Sequence, residues 1–394
     1  MALATAPAVA DGRLEAILDQ CRELAENPDL PAVARWREQH PDGRVVGHFQ
    51  VYFPEEIVHA AGMLPITVMG AGSRIDAKQA DSHIGSFICS ICRTSLELGL
   101  SGRLDSLSGF FTLPICDVAR NLAGIWGRNF PEQVSQILYL PQNATSKHAA
   151  TYLRGEYQRL VGELETLGGR PITDAALRVS IAVYNENRRL LRQLYDLKRE
   201  SPWLVTSSEA YVLTRAGSVM PREEHNLLLS EALAALAQRS GRRQDRVRVV
   251  FEGGFCEQPP LDMLGLLEET CYVVDDDLLI GMRWLTEDVV AGDDPLEALA
   301  TAYLEHSTYS CVQHDDRKPK EEMLMARVEE AQAQAVILAA AKMCEPGLDE
   351  QVAYQQVCEA RGIPHLLLEF EEKMTGLERL RMEVETFVES ILFD

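Results

Sequence analysis

Apolar positions along the chain recur in two rhythms, one suited to helices and one to buried parallel strands. Residues 12–40 carry Leu14, Ile17, Leu18, Cys21 and Leu24 on one stripe, at the three- and four-residue spacing of an amphipathic helix. Short apolar runs then alternate with helical spacing. Residues 44–52, 64–69, 107–113 and 137–140 read as strands. A helix opens at Pro54, with Glu55 and Glu56 set to face the positive end of its dipole, and residues 87–100 and 117–126 are the next two helices. This βαβα order predicts a parallel sheet. Residues 144–240 read as almost entirely helical, with Leu177, Ile181, Tyr184, Leu191 and Tyr195 on one face of a long helix. The α/β rhythm then returns, with strands at 246–251, 272–274, 335–340 and 365–370 and helices at 261–269, 349–361 and 376–392.

The predicted fold class is therefore α/β: two Rossmann-like or flavodoxin-like parallel-sheet halves around a helical middle segment. The expected divisions are an N-terminal helical segment (1–43), a first α/β domain (44–143), a helical segment (144–240) and a second α/β domain (241–394). Whether the halves are distant repeats of one another is left open by a single sequence.

Composition narrows the function classes. With 394 residues, 46% of them hydrophobic and 25% charged, the chain is ordinary globular protein of two or three domains. No apolar run reaches the roughly 18 residues that a membrane span needs. The N-terminus is small and apolar but lacks the basic region of a secretory signal, so a cytoplasmic protein is expected, away from membranes. A net charge of −22 argues against nucleic acid, whose phosphates demand a positive surface. The acidity serves solubility or the docking of a basic partner. Nine cysteines without an export signal are not expected to form disulfides. They are buried small hydrophobes, metal ligands or catalytic thiols, and position must sort them.

In open parallel sheets, ligands bind beyond the carboxyl ends of the strands. Cys116 stands there, after the apolar run 108–113 and before a helix, and Cys344 occupies the matching place in the second half, after 335–340. Both lie near helix N-termini, where the dipole favours a thiolate and an anionic cluster. Cys89 and Cys92 form a C-x-x-C at the start of another helix, and Cys256 follows a strand through Gly253-Gly254. Each alone could be a buried structural thiol. Four thiolates would suit tetrahedral zinc, but ligands scattered through both halves better suit an iron–sulfur cluster clamped between domains. Cys21 and Cys358 lie inside amphipathic helices, Cys271 opens a buried strand and Cys311 lies in a polar segment, so these four read as structural.

With these residues in view, the sequence resembles the benzoyl-CoA reductase and 2-hydroxyacyl-CoA dehydratase family. Within it, the likeness is to the smaller, cluster-bearing gamma subunits of the ATP-dependent reductases. It covers nearly the whole chain. It is carried by Pro54-Glu55-Glu56-Ile57-Val58-His59-Ala60-Ala61-Gly62, Phe87-Ile88-Cys89, Ile115-Cys116-Asp117-Val118-Ala119-Arg120-Asn121-Leu122 and Val183-Tyr184-Asn185-Glu186-Asn187-Arg188. Glu223-Glu224-His225-Asn226, Phe255-Cys256-Glu257-Gln258-Pro259-Pro260 and Tyr272-Val273-Val274-Asp275-Asp276-Asp277 extend it.

The resemblance implies a [4Fe–4S] cluster on Cys89, Cys116 and Cys344, at the interface of the two halves. It implies a larger homologous cluster subunit, a pair of ATP-hydrolysing activator subunits, ferredoxin as electron donor and an acyl-CoA substrate. The reaction implied is reduction of a benzoyl-CoA ring to a cyclic dienoyl-CoA. The chain has no G-x-x-x-x-G-K-[ST] run, which agrees with ATP hydrolysis on a separate subunit. Cys92 departs from the family pattern; an extra ligand, a fourth ligand and a bystander all remain open, as does Cys256. Other readings are a dehydratase subunit, a homodimeric double-cubane reductase, and an electron-relay or scaffold subunit with substrate bound only on the partner.

Proton donors are harder to read. His83, six residues before Cys89, and Glu257, beside Cys256, are the candidates. His59 reads as a satisfied core histidine. Asp275-Asp276-Asp277 is expected to cap a helix or face solvent. Arg93 and Arg120 read as surface salt bridges, with cluster-charge compensation or CoA phosphate as the alternative.

Overall fold

The computed structural model describes residues 6–49, 51–308, 315–371, 373–374 and 376–393. The first half contains β1 (Val45–Phe49), α3 (Glu55–Ala60), β2 (Leu64–Val68), α4 (Ser90–Leu100), β3 (Leu107–Thr112), α5 (Asp117–Asn129) and β4 (Val134–Ile137), preceded by α1 (Ala6–Glu26) and α2 (Pro31–Gln39). Four helices form the middle: α6 (Ala149–Gly168), α7 (Asp174–Glu200), α8 (Ser207–Ala216) and α9 (Arg222–Leu236). The second half contains β5 (Val247–Glu252), α10 (Leu261–Thr270), β6 (Cys271–Asp276), α11 (Ile280–Arg283), α12 (Pro295–His306), α13 (Lys320–Glu330), β7 (Ala335–Ala341), α14 (Glu345–Arg361), β8 (His365–Phe370) and α15 (Leu377–Phe393).

Each half holds one four-stranded, all-parallel sheet. The orders are β2-β1-β3-β4 and β6-β5-β7-β8, so the two halves repeat one topology. In both, the chain leaves the first strand toward one edge and returns to the other side. The crevice beyond the carboxyl ends of the first and third strands is therefore the switch point of each sheet. Every residue of β7 is buried, as expected of a strand covered on both faces. Its side chains divide by parity. Val336 and Leu338 pack into a core shared with the first sheet, while Ala335, Ile337, Ala339 and Ala341 pack toward α1, α8 and α10.

Local chemistry explains the helix starts. Thr173 accepts from the Ala176 N–H at the head of α7, Thr206 and Glu209 form a capping box on α8, and Asp294 caps α12 with Pro295 in its first turn. Several expectations need correction. The single helix over 12–40 is two, because Asn27-Pro28-Asp29-Leu30 breaks it and Leu30 takes a left-handed φ of 50° before Pro31 restarts it. The strand expected at 137–140 lies at Val134–Ile137, a half-buried edge strand whose apolar signal is weak. The helix expected from Phe87 begins at Ser90. Helices α11, α12 and α13 were not anticipated.

Buried charges pin the middle helices to both halves. Glu55 and Glu56 stand in the first turn of α3, as expected, and both are buried. Glu55 accepts from Arg222 at 2.5 Å, Tyr184 Oη at 2.8 Å and pairs with His48 at 2.9 Å, and Glu56 pairs with Arg188. Burial alone would push the Glu55 carboxyl up, but Arg222, His48 and Tyr184 together hold it well below the usual range. Asp275, Asp276 and Asp277 are likewise buried. Asp276 pairs with Lys198 and Arg283, Asp275 lies 3.3 Å from Arg199, and Asp277 accepts from the Gly253 and Gly254 N–H groups. His59 is half-buried and satisfied, by Ser180 and Glu223 at 2.9 Å each. Among the described residues, no helix is long and apolar enough to cross a membrane.

Candidate functional site

Three helices point their N-termini at one cavity, and the residue capping each of them is a cysteine. Cys89 is the N-cap of α4, Cys116 of α5 and Cys344 of α14. Cys116 and Cys344 follow β3 and β7, the equivalent third strands of the two sheets. The cavity has a volume of about 840 Å³ and is lined by Cys89, Cys92, Cys116, Cys256 and Cys344 together. It is thus the meeting of two switch-point crevices, one from each half. Ile88, Ile115, Val118 and Phe255 supply much of its apolar wall.

Backbone geometry sets the sulfurs in place. The Cys116 Sγ accepts from the Ala119 N–H at 3.4 Å, an N-cap bond made by sulfur. Cys344 precedes Glu345-Pro346, with Pro346 in the first turn of α14. Cys256 is reached through Gly253, where φ is +123° and a Cβ would lie 1.8 Å from the Ala339 carbonyl oxygen, so only glycine lets β5 end this close to β7. Cys92 is the third residue of α4 and is buried.

The electrostatics favour loading with cations. Burial pushes the Cys344 thiol up to about 12, against an opposing Gly347 N–H, and the nearby Cys89 and Cys116 add to the rise. Cys116 is raised by burial and Cys89, and Cys256 is raised well above the ordinary range by burial and by Cys344, Cys89 and Cys116. Cys92 is raised by its hydrogen bond with Cys89 and by burial. Thiols crowded in this way, Cys89, Cys92 and Cys256 buried and Cys116 and Cys344 half-buried, become thiolates together only when a cationic group joins them.

The donor set fits a cluster better than a single ion. Among the described residues, no three His, Cys, Asp or Glu side chains converge closely enough to hold one metal ion. A cubane takes each thiolate on a different iron, so its ligands stand apart around a larger body. Soft sulfur donors, three converging helix N-termini and a cavity between halves match that arrangement.

The other sequence-predicted residues divide. Glu257 lines the cavity and is buried, with Oε1 accepting from Ser90 Oγ at 2.5 Å and Oε2 from the Ile91 N–H at 3.3 Å. His83 is exposed, at the end of a single helical turn, and does not line the cavity. Arg93 pairs with Asp81, and Arg120 lies 3.8 Å from Asp117 while lining the cavity. Cys21, Cys271 and Cys358 are buried away from it, and Cys311 lies outside the described residues. Sequence reasoning missed Ser90, Met343 and Arg128 at this site. No local pattern marks them, since Ser90 meets Glu257 across 167 positions of chain.

Comparison with known proteins gives the family. A family model described as "2-hydroxyglutaryl-CoA dehydratase, D-component" matches residues 50–391. The chain is 39% identical to a benzoyl-CoA reductase subunit of Thauera aromatica, over 95% of this chain and 98% of that one. It is 31% identical to the lactoyl-CoA dehydratase beta subunit of Anaerotignum propionicum, over 96% of this chain and all of the other. It is 25% identical to the beta subunit of (R)-2-hydroxyglutaryl-CoA dehydratase of Acidaminococcus fermentans, over 96% of this chain.

Proposed function

We propose, for a chain that belongs to the 2-hydroxyglutaryl-CoA dehydratase D-component family, that it is an iron–sulfur subunit of an aromatic acyl-CoA reductase holding a [4Fe–4S] cluster on Cys89, Cys116 and Cys344. The observation that carries this reading is the convergence of three cysteine-capped helix N-termini on one cavity between the halves. When bound, such a cluster supplies electrons of low potential.

The chain's own residues do the rest. The heads of α4, α5 and α14 stabilise thiolates against their burial. Ile88, Ile115, Val118 and Phe255 exclude water from the sulfurs, which keeps the potential low. Cys92 and Cys256 stand beside the three ligands as further sulfur donors. Phe87, 71% exposed, and Met343, 54% exposed, line the cavity, and Leu348 lies beside them. This apolar rim is the face for a larger homologous cluster subunit. ATP hydrolysis and electron supply belong to an activator and a ferredoxin.

The substrate is a benzoyl-CoA or a substituted analogue, reduced by two electrons and two protons to a cyclic dienoyl-CoA. The higher identity to a benzoyl-CoA reductase subunit than to dehydratase subunits supports reduction over dehydration. The second reading is a subunit that eliminates water from a 2-hydroxyacyl-CoA, supported by the 31% and 25% relatives. The complex assembled anaerobically, with its partner and activator, separates the two. The proposal expects ring reduction of benzoyl-CoA with ATP and a low-potential donor. Dehydration of a 2-hydroxyacyl-CoA without ring reduction would overturn it in favour of the second.

A further inference from the structure

Helix α4 differs from α5 at the cavity. Cys116 spends a sulfur lone pair on the head of α5, whereas Cys89 makes no cap hydrogen bond to α4. The cap of α4 comes instead from the other half of the molecule. Glu257, on the loop after β5, is 1% exposed and lays its carboxylate over the first turn of α4, accepting from Ser90 Oγ and from the Ile91 N–H. Ser90 and Ile91 lie between Cys89 and Cys92. Next to Glu257 in the chain, Cys256 lines the same cavity.

We infer that Glu257 is a positioning residue: by capping α4 from the opposite half, it relieves the Cys89 sulfur of capping and fixes it in register with Cys116 and Cys344 across the crevice. This inference rests on the proposal that those three thiols hold a cluster. A carboxylate suits the task. It accepts two donors at once at a positive helix end, where a charge-assisted bond is stronger than a neutral one. Both oxygens are engaged in this contact, so the group holds the clasp.

Anaerobically purified wild type, Glu257→Ala, Glu257→Gln and Ser90→Ala test it. Three readouts are taken: the rate of iron transfer to a ferrous chelator, the EPR spectrum of the reduced chain, and the midpoint potential. Glu257→Ala is expected to release iron about ten- to a hundredfold faster, the range for loss of a group that orients a metal ligand. Its EPR spectrum and potential shift as well. Ser90→Ala removes one of the two bonds from the other side and shifts both in the same direction by less, and the double variant adds little to Glu257→Ala. Glu257→Gln, which keeps one acceptor oxygen, falls between. Wild-type release rates, spectra and potentials in Glu257→Ala and Ser90→Ala would overturn the clasp. So would a shift in Glu257→Ala with none in Ser90→Ala. Should Glu257→Ala not fold, Ser90→Ala decides alone. A wild-type chain without iron and sulfide would instead overturn the proposed function, and the clasp with it.

Discussion

At the residue scale, buried titratable groups decide how the molecule responds to acid. His225 is fully buried on α9. One ring nitrogen meets the Leu213 carbonyl oxygen at 2.8 Å and the other meets Asn187 Nδ2 at 2.9 Å. Only a neutral ring satisfies both, donating from Nε2 and accepting at Nδ1. Burial and the neighbouring Arg222 lower its pKa from 6.5 to about 3. Between those values the unfolded chain binds a proton that the folded chain refuses, so stability rises with pH across that window and is lost as pH falls through it. Urea unfolding of the metal-free chain should therefore show about 2 kcal/mol lost through this group between pH 6.5 and pH 5. His225→Gln should flatten the slope there. An unchanged slope in the variant would contradict the neutral assignment. Nothing in the sequence around Glu223-Glu224-His225-Asn226 announced this role, because the partners come from α7 and α8.

At the element scale, glycine has opposite meanings at two positions of the second half. Gly253 ends β5 at a φ of +123° with no room for a Cβ against Ala339. Gly265 lies inside α10 with nothing within 4 Å of where a Cβ would stand. Gly253→Ala should cost at least about 2 kcal/mol through backbone strain and displacement of β7. Gly265→Ala should gain roughly 0.5–1 kcal/mol, the helix preference for alanine. Thermal unfolding of both variants checks the pair, and similar effects would contradict the close approach of β5 to β7. Elements were legible where periodicity was strong. β8 and the helical middle followed from the sequence, since β8 is a short apolar run and α7 carries a continuous buried stripe. β4 was displaced because an edge strand with no buried residue writes no apolar run. Helix α12 was overlooked although Asp294-Pro295, a capping residue followed by proline, marks its start.

At the scale of the whole molecule, the repeated strand order is the feature from which the site follows. Two sheets of order 2-1-3-4, facing across one crevice, put Cys116 and Cys344 at equivalent strand ends. The positions of these two cysteines after strands could be read from the sequence, and so could the C-x-x-C. That five thiols share one cavity could not, because closure depends on how the two halves pack. The clasp from Glu257 to Ser90 is of the same kind, a contact between halves. The proposed function requires iron in this cavity. Diffraction from anaerobically grown crystals, measured on either side of the iron absorption edge, tests it most directly. A compact anomalous peak is expected between the sulfurs of Cys89, Cys116 and Cys344. A cavity without iron signal, in crystals of protein purified and kept free of oxygen, would contradict it.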